Sequence, residues 1–184
     1  MSRPIVVIEI PDPALVVLVG AAGAGKTTFA ARRFAPDEVL SSDALREAIS
    51  GDADDQRASG PAFGALHRAL ARRLRDGRLT VVDATNVTGP ARRALVSRAA
   101  RAGIPAIAVV FDLPTPVVVA RNAARPGRTV PGDVVRRQLA DLQESLRGGL
   151  DAEGFAAVVR LGSPEDLDAA QVVRRRSERS PDAG

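Results

Sequence analysis

The stretch Gly20-Ala-Ala-Gly-Ala-Gly25-Lys26-Thr27 fits the pattern G-x-x-x-x-G-K-[ST] at every fixed position. It follows a continuously apolar run at residues 15–19, which reads as a strand buried on both faces, and it opens a helical pattern at residues 26–34. A strand, a glycine-rich turn and a helix N-terminus together form a phosphate cradle. The glycines let the backbone turn, so that the N–H groups of Gly20, Gly23, Ala24, Gly25, Lys26, Thr27 and Thr28 can point at phosphate oxygens. The helix N-terminus adds favourable partial charge. Lys26 is placed to reach the β- and γ-phosphates of a nucleotide, and the Thr27 hydroxyl to ligate Mg²⁺. The alternative is a glycine-rich strand-to-helix turn that holds no ligand.

The basic residues support the first reading. Lys and Arg total 26, of which 25 are Arg and one is Lys, and that Lys is Lys26. A phosphate loop needs a slim point charge on a flexible stem, which the planar guanidinium does not supply. Net charge is +4, with the excess in the second half of the chain. This permits an anionic substrate without demanding nucleic acid.

The remaining composition narrows the chemistry. The 184 residues suit one ordinary domain. Cysteine is absent, which excludes thiol catalysis and cysteine–zinc sites, and one His cannot make a two-histidine metal motif. No apolar run approaches the roughly 18 residues of a membrane span. The start lacks the apolar stretch and cleavage site of a signal peptide, so the expected compartment is the cytoplasm.

Along the chain, strand and helix patterns alternate. Residues 5–10 read as an edge strand ended by Pro11, Asp12 and Pro13. Further strands are expected at 38–40, 79–82, 104–111 and, last, 155–161. Helices are expected at 43–50, 61–76, 90–102, 114–122 and 132–146. Such alternation implies an α/β fold with a mostly parallel sheet covered on both faces. Residues 1–173 are expected to form one domain, with 174–184 a polar, frayed tail.

Asp83 ends the strand pattern Leu79-Thr-Val-Val-Asp83 and so stands at the carboxyl end of a strand, on the metal side of the phosphate loop. It could instead be a loop acid or a helix cap. Ser41-Ser42-Asp43-Ala-Leu-Arg46 follows a short strand and belongs beside the phosphate loop at the open crevice. Asp43 and Arg46 share one helix face. Asp43 could accept the proton of an alcohol, and Arg46 could hold an acceptor anion. An ordinary first-turn Asp with a surface Arg is the alternative. Arg121, Arg125 and Arg128, with glycine and proline between them, read as a mobile lid that closes over the nucleotide. A solvated basic helix end is the competing description. His67 reads as a helix-boundary residue. Asp52, Asp54 and Asp55 read as a solvated loop rather than a metal cluster.

The segments LVVLVGAAGAGKTTFA, EVLSSDALRE, GDADDQ, GRLTVVDATNV, AVVFDLP, ARNAARPGR, VVRRQ and VVRLGSPEDLDAA together resemble the 5′-hydroxyl polynucleotide kinase domain of bacterial polynucleotide kinase-phosphatases. The resemblance runs from about Leu15 to Val173. It implies a P-loop NTPase fold, a three-layer α/β/α sandwich with an arginine-bearing lid. It implies transfer of the γ-phosphoryl group of ATP, or another NTP, to the 5′-OH end of RNA or DNA with Mg²⁺. Lys26 and Thr27 match that family's phosphate and metal residues. Asp43 matches its general base, Arg46 its acceptor-phosphate arginine and Arg121 its lid arginine, with Arg128 a secondary candidate. Residues 161–163 fall where such kinases frame the donor base.

The chain departs from the family in three ways, the mildest being Thr27 where that family's phosphate loop commonly has Ser. Those proteins carry phosphatase and end-sealing modules after the kinase, and the 184 residues here are expected to hold neither. There is also no Trp or Tyr and only five Phe, whereas single strands are usually held by aromatic stacking beside a basic groove. Two further readings therefore stand beside it. One is a kinase for a small hydroxylated molecule such as a sugar acid, nucleoside or antibiotic. The other is an ATP-binding switch without a phosphoryl acceptor.

Overall fold

A computed structural model describes residues 5–51, 59–126 and 129–176. Five strands form one fully parallel sheet: β2 (Leu15–Val19), β3 (Val39–Ser41), β4 (Thr80–Asp83), β5 (Ala106–Phe111) and β6 (Ala157–Leu161), in the order β3-β4-β2-β5-β6. The central strands are buried along their whole length, which is why they read as unbroken Val/Ile/Leu runs rather than alternating ones.

Both faces of the sheet are covered. Leu15, Val17 and Val19 pack on one side with residues of α3 (Ser59–Arg75) and α4 (Gly89–Arg101), and with Leu142 of α6 (Gly132–Gly148). Val16 and Leu18 point the other way, to Phe29 and Ala30 of α1 (Lys26–Arg33). Period-two alternation along β2 thus feeds two apolar layers. A third cluster joins Ala21 of the phosphate loop to α5 (Thr115–Ala123) and α6. These layers form a P-loop kinase-like α/β fold.

Helix α2 (Ser42–Ser50) follows β3 directly. Ser41 caps it, its Oγ accepting from the Ala44 N–H at 3.3 Å. Two short 3₁₀ turns, Pro36–Glu38 and Leu150–Glu153, have no counterpart among the expected elements. Neither has α7 (Pro164–Ala169).

The ends of the chain differ most from expectation. Residues 5–10 were expected to form an edge strand of the main sheet. Instead β1 (Val7–Asp12) pairs in parallel with β7 (Gln171–Arg176) in a separate two-stranded sheet. A strand with one open side tolerates Pro11, which has no N–H to donate. Strand β6 is accordingly not the last, and Arg174–Arg176, expected in the frayed tail, lie in β7; residues 177–184 of that expected tail lie outside the described residues. Arg174 is drawn into the strand by its bidentate pair with Glu38, at 2.7 Å for each bond. Arg175 pairs with Glu9 of the facing strand. Among the described residues, no helix is long and apolar enough to cross a membrane.

Candidate nucleotide and acceptor site

The carboxyl ends of β2, β3 and β4 open onto a cleft of about 740 Å³. Its floor is the phosphate loop. Gly23 and Gly25 hold φ of 86° and 99°, the left-handed region that glycine enters without strain. Gly23 has a second reason to lack a side chain, because a Cβ there would stand 2.7 Å from the Val118 carbonyl of α5. Gly25 ends the loop, and α1 starts at Lys26.

The loop is tied to the strand beside it. The Gly20 N–H donates to the Thr85 carbonyl at 2.8 Å, and Asn86 Nδ2 donates to the Leu18 carbonyl at 2.8 Å. Asn86 carries a positive φ of 49°, which Asn tolerates better than most residues. Fully buried Arg92 braces it: Arg92 Nη1 donates to the Asn86 carbonyl at 2.9 Å. Arg92 Nε and Nη2 grip both oxygens of Glu153, at 2.7 and 2.6 Å.

Two charged groups sit under the loop. Lys26 is buried, and its Nζ donates to the carbonyls of Gly20 and Ala21, each at 2.8 Å. Burial lowers its pKa to about 8, against the opposing pull of Asp83 and Asp43. Asp83 is also buried, and desolvation raises its pKa while Lys26 and Thr27 pull it down. The Thr27 hydroxyl donates to Asp83 Oδ2 at 2.8 Å.

The other walls come from the surrounding helices. Asp43 and Arg46 lie on α2, with Arg46 Nη1 donating to Asp43 Oδ1 at 3.1 Å. Arg46 is buried and Asp43 half-buried, and both line the cleft. Arg121 of α5 brings its Nη1 within 3.6 Å of where a Gly25 Cβ would stand. Arg125 follows it into the same cleft. Asn122 staples the base of this arginine segment, since its Nδ2 donates to the Val130 carbonyl at 2.8 Å and its Oδ1 accepts the Val130 N–H at 3.2 Å.

Of the residues expected at the site, Gly23, Gly25, Lys26, Thr27, Thr28, Asp43, Arg46, Asp83, Arg121 and Arg125 line this one cleft. Gly20 and Ala24 do not. Gly20 lies against Phe111, where a Cβ would come within 2.9 Å of that residue's Cβ, and Ala24 belongs to the core. Arg128 and the acidic loop with Asp52, Asp54 and Asp55 lie outside the described residues. Residues 161–163 do not line the cleft. Leu161 is buried and Ser163 caps α7, so the cleft reaches Leu167 and Asp168 instead.

Other residues become visible only in three dimensions. Gln138 of α6 places its Oε1 2.8 Å from the Ala22 N–H of the phosphate loop. Phe63 of α3 lines the same cleft. Phe63 reads in sequence as one more apolar residue of α3. Gln138 offered no signal beyond its place in a helical run.

The sequence from 15 to 148 matches the family model of the AAA domain. The chain belongs to this AAA-domain family of P-loop proteins. No curated protein matches it in sequence. Among solved structures, this AAA-domain chain is similar to one in the Pnkp1/Rnl/Hen1 RNA repair complex. That match has a TM-score of 0.64 and 24% identity, and covers 76% of this chain and 47% of the other. The chain thus spans about half the length of that protein. It is also similar to a sugar kinase from Janibacter sp. HTCC2649, with a TM-score of 0.57 and 25% identity over 84% of this chain and 90% of that one. A gluconokinase from Sinorhizobium meliloti 1021 matches with a TM-score of 0.55 and 21% identity over 86% and 87%. A kinase-like P-loop fold with such neighbours supports nucleotide binding and phosphotransferase chemistry.

Proposed function

We propose that this protein transfers the γ-phosphoryl group of ATP, or another NTP, to the 5′-hydroxyl end of an RNA or DNA strand. The observation that carries the reading is the Asp43–Arg46 pair, joined at 3.1 Å and lining the same cleft as the phosphate loop. A carboxylate beside a guanidinium fits an alcohol that is followed by a phosphate, which is the end of a nucleic-acid strand.

In this reading the donor phosphates lie on the N–H groups of the loop from Gly23 to Thr28. Lys26 exchanges the carbonyls of Gly20 and Ala21 for phosphate oxygens. The acceptor hydroxyl rests against Asp43, which takes its proton as the oxygen attacks the γ-phosphorus. The bond from that phosphorus to the β,γ-bridging oxygen breaks, and the nucleoside diphosphate leaves with the electron pair. Arg46 holds the phosphate that follows the terminal sugar. Arg121 and Arg125 close from the lid side and offset charge on the transferring group.

The residues fit a magnesium ion. The Thr27 hydroxyl and the Asp83 carboxylate are hard oxygen donors side by side. Desolvation raises the Asp83 pKa despite the nearby Lys26 charge, and a cation beside it would favour its charged form. Among the described residues no group of three acidic, His or Cys side chains could form a full protein cage, which suits an ion held mainly by substrate phosphates and water. When bound, the ion would supply charge neutralisation at the phosphates.

The test is phosphate transfer from ATP with Mg²⁺ to adenosine and to adenosine 3′-monophosphate. The wild type is expected to prefer the 3′-phosphorylated acceptor, and Arg46→Gln to lose that preference. Equal use of both acceptors by the wild type would remove the assigned role of Arg46.

A second reading is a kinase for a small hydroxylated molecule. The sugar kinase likeness favours it, because it covers 90% of that protein at 25% identity. It needs the same Asp43 base but no phosphate on the acceptor.

A further inference from the structure

The chain has five Phe and no other aromatic ring of the Trp or Tyr kind. Four of them, Phe29, Phe34, Phe111 and Phe155, are buried in the core. The fifth, Phe63, is 42% exposed and lines the cleft that holds Asp43 and Arg46.

Helix α3 explains how it gets there. Ala62, Leu66, Leu70 and Leu74 recur every four residues and are buried, and the three leucines pack into the sheet-facing cluster. Phe63 stands one residue round from that stripe and is outside the cluster. Long helical side chains lean back over the preceding turn. Three residues before Phe63 stands Gly60, where an added Cβ would meet none of the described residues within 4 Å. Six large hydrophobic side chains are exposed among the described residues, and Phe63 and Val134 are the two that line the cleft.

We infer that Phe63 is the platform on which the base of the acceptor's terminal nucleotide stacks. The inference rests on the strand-end reading above and names what that acceptor must carry. A sugar or sugar acid meets an aromatic face only through its C–H groups, over a smaller area than a flat base covers. A nucleobase presents a flat π-surface, and every base has one, so a single ring serves strand ends of any sequence. Arg46 holds the phosphate on one side of the terminal sugar while Phe63 holds the base on the other. Together they aim the 5′-hydroxyl at Asp43. This answers the shortage of aromatics in the sequence, because recognising an end needs one platform, not a row of them.

The experiment is equilibrium binding of two probes, adenosine 3′-monophosphate and the base-less ribose 3-phosphate. It is run with Mg²⁺ and a saturating non-hydrolysable ATP analogue, on wild type, Phe63→Ala and Phe63→Trp. The wild type is expected to bind the base-bearing probe about 5- to 150-fold more tightly than the other. Phe63→Ala should lose that margin without changing affinity for the base-less probe, and Phe63→Trp should restore it. An equal loss for both probes in Phe63→Ala, or no base preference in the wild type, overturns the inference. Failure of the strand-end reading looks different: base-dependent binding persists, but no phosphate reaches a 5′-OH oligonucleotide.

Discussion

Thr27 Oγ1 donates a hydrogen bond to Asp83 Oδ2 at 2.8 Å, joining the first turn of α1 to the carboxyl end of β4. The contact brings together a hydroxyl and a carboxylate that lie far apart in sequence, on the side of the phosphate loop where a metal ion would be held. It also confines a buried carboxylate whose pKa desolvation raises. Stability and function therefore pull in opposite directions at Asp83.

Asp83→Asn tests that opposition. A carboxyl whose folded pKa lies above its unfolded value gives stability at low pH that is lost as pH rises. Without nucleotide or Mg²⁺, the variant is expected to melt at or above the wild-type temperature at pH 7, with the difference shrinking towards pH 4. Phosphoryl transfer with Mg²⁺ should fall about 10²–10³-fold. A variant that is less stable at pH 7 and equally active would contradict the assignment.

Lys26 sets a pH dependence on nucleotide binding. Burial lowers its pKa to about 8 in the free protein, and phosphates would raise it again, because they favour the ammonium form. Binding therefore takes up a proton above pH 8. Affinity for an ATP analogue is expected to weaken as pH rises from 8 towards 10, by up to about tenfold per unit. Calorimetry in buffers of different ionisation enthalpy at pH 8.5 would register the uptake. Lys26→Met should bind more weakly and without this uptake. Identical pH profiles for the two proteins would refute the account.

Arg121 is expected to act on the chemical step. Its guanidinium stands over Gly25, on an exposed helix end where truncation leaves the core untouched. Arg121→Ala should keep the wild-type melting temperature and lower kcat by about 10³-fold or more. A change confined to KM would make it a binding residue only.

Glu153 is expected to act on stability. It holds fully buried Arg92 through two bonds, and Arg92 in turn holds the Asn86 carbonyl. Removing one partner of such a pair leaves an uncompensated charge in the core. Glu153→Ala should cost about 3–5 kcal/mol in chemical denaturation. A loss under about 1 kcal/mol would mean that Arg92 finds another partner.

Local features of this fold were legible in the sequence. The phosphate loop, the buried strands and the acid at Asp83 are contiguous patterns, each set by a few neighbouring residues. The pairing of Asp43 with Arg46 was legible for the same reason, since helical spacing puts both on one face. Features that depend on distant partners were not. Arg174–Arg176 reads as a solvated tail until Glu38 and Glu9 are seen beside it. Gln138 reads as an ordinary helix residue until α6 brings it to the Ala22 N–H. Phe63 reads as one more apolar residue until the leucine stripe of α3 shows which way the rest of the helix faces. Gly20 was expected at the phosphates, but its N–H is taken by the Thr85 carbonyl, a contact no spacing rule reveals.

The most direct test of the central claim is a competition assay. Labelled ATP and Mg²⁺ are supplied with 5′-OH RNA and DNA oligonucleotides and with gluconate in one mixture, to wild type and to Asp43→Ala. The account predicts label on the oligonucleotide end, none on the sugar acid, and a rate about 10²–10⁴-fold lower in the variant. Label on gluconate, or none on any acceptor while ATP is still bound, would contradict it.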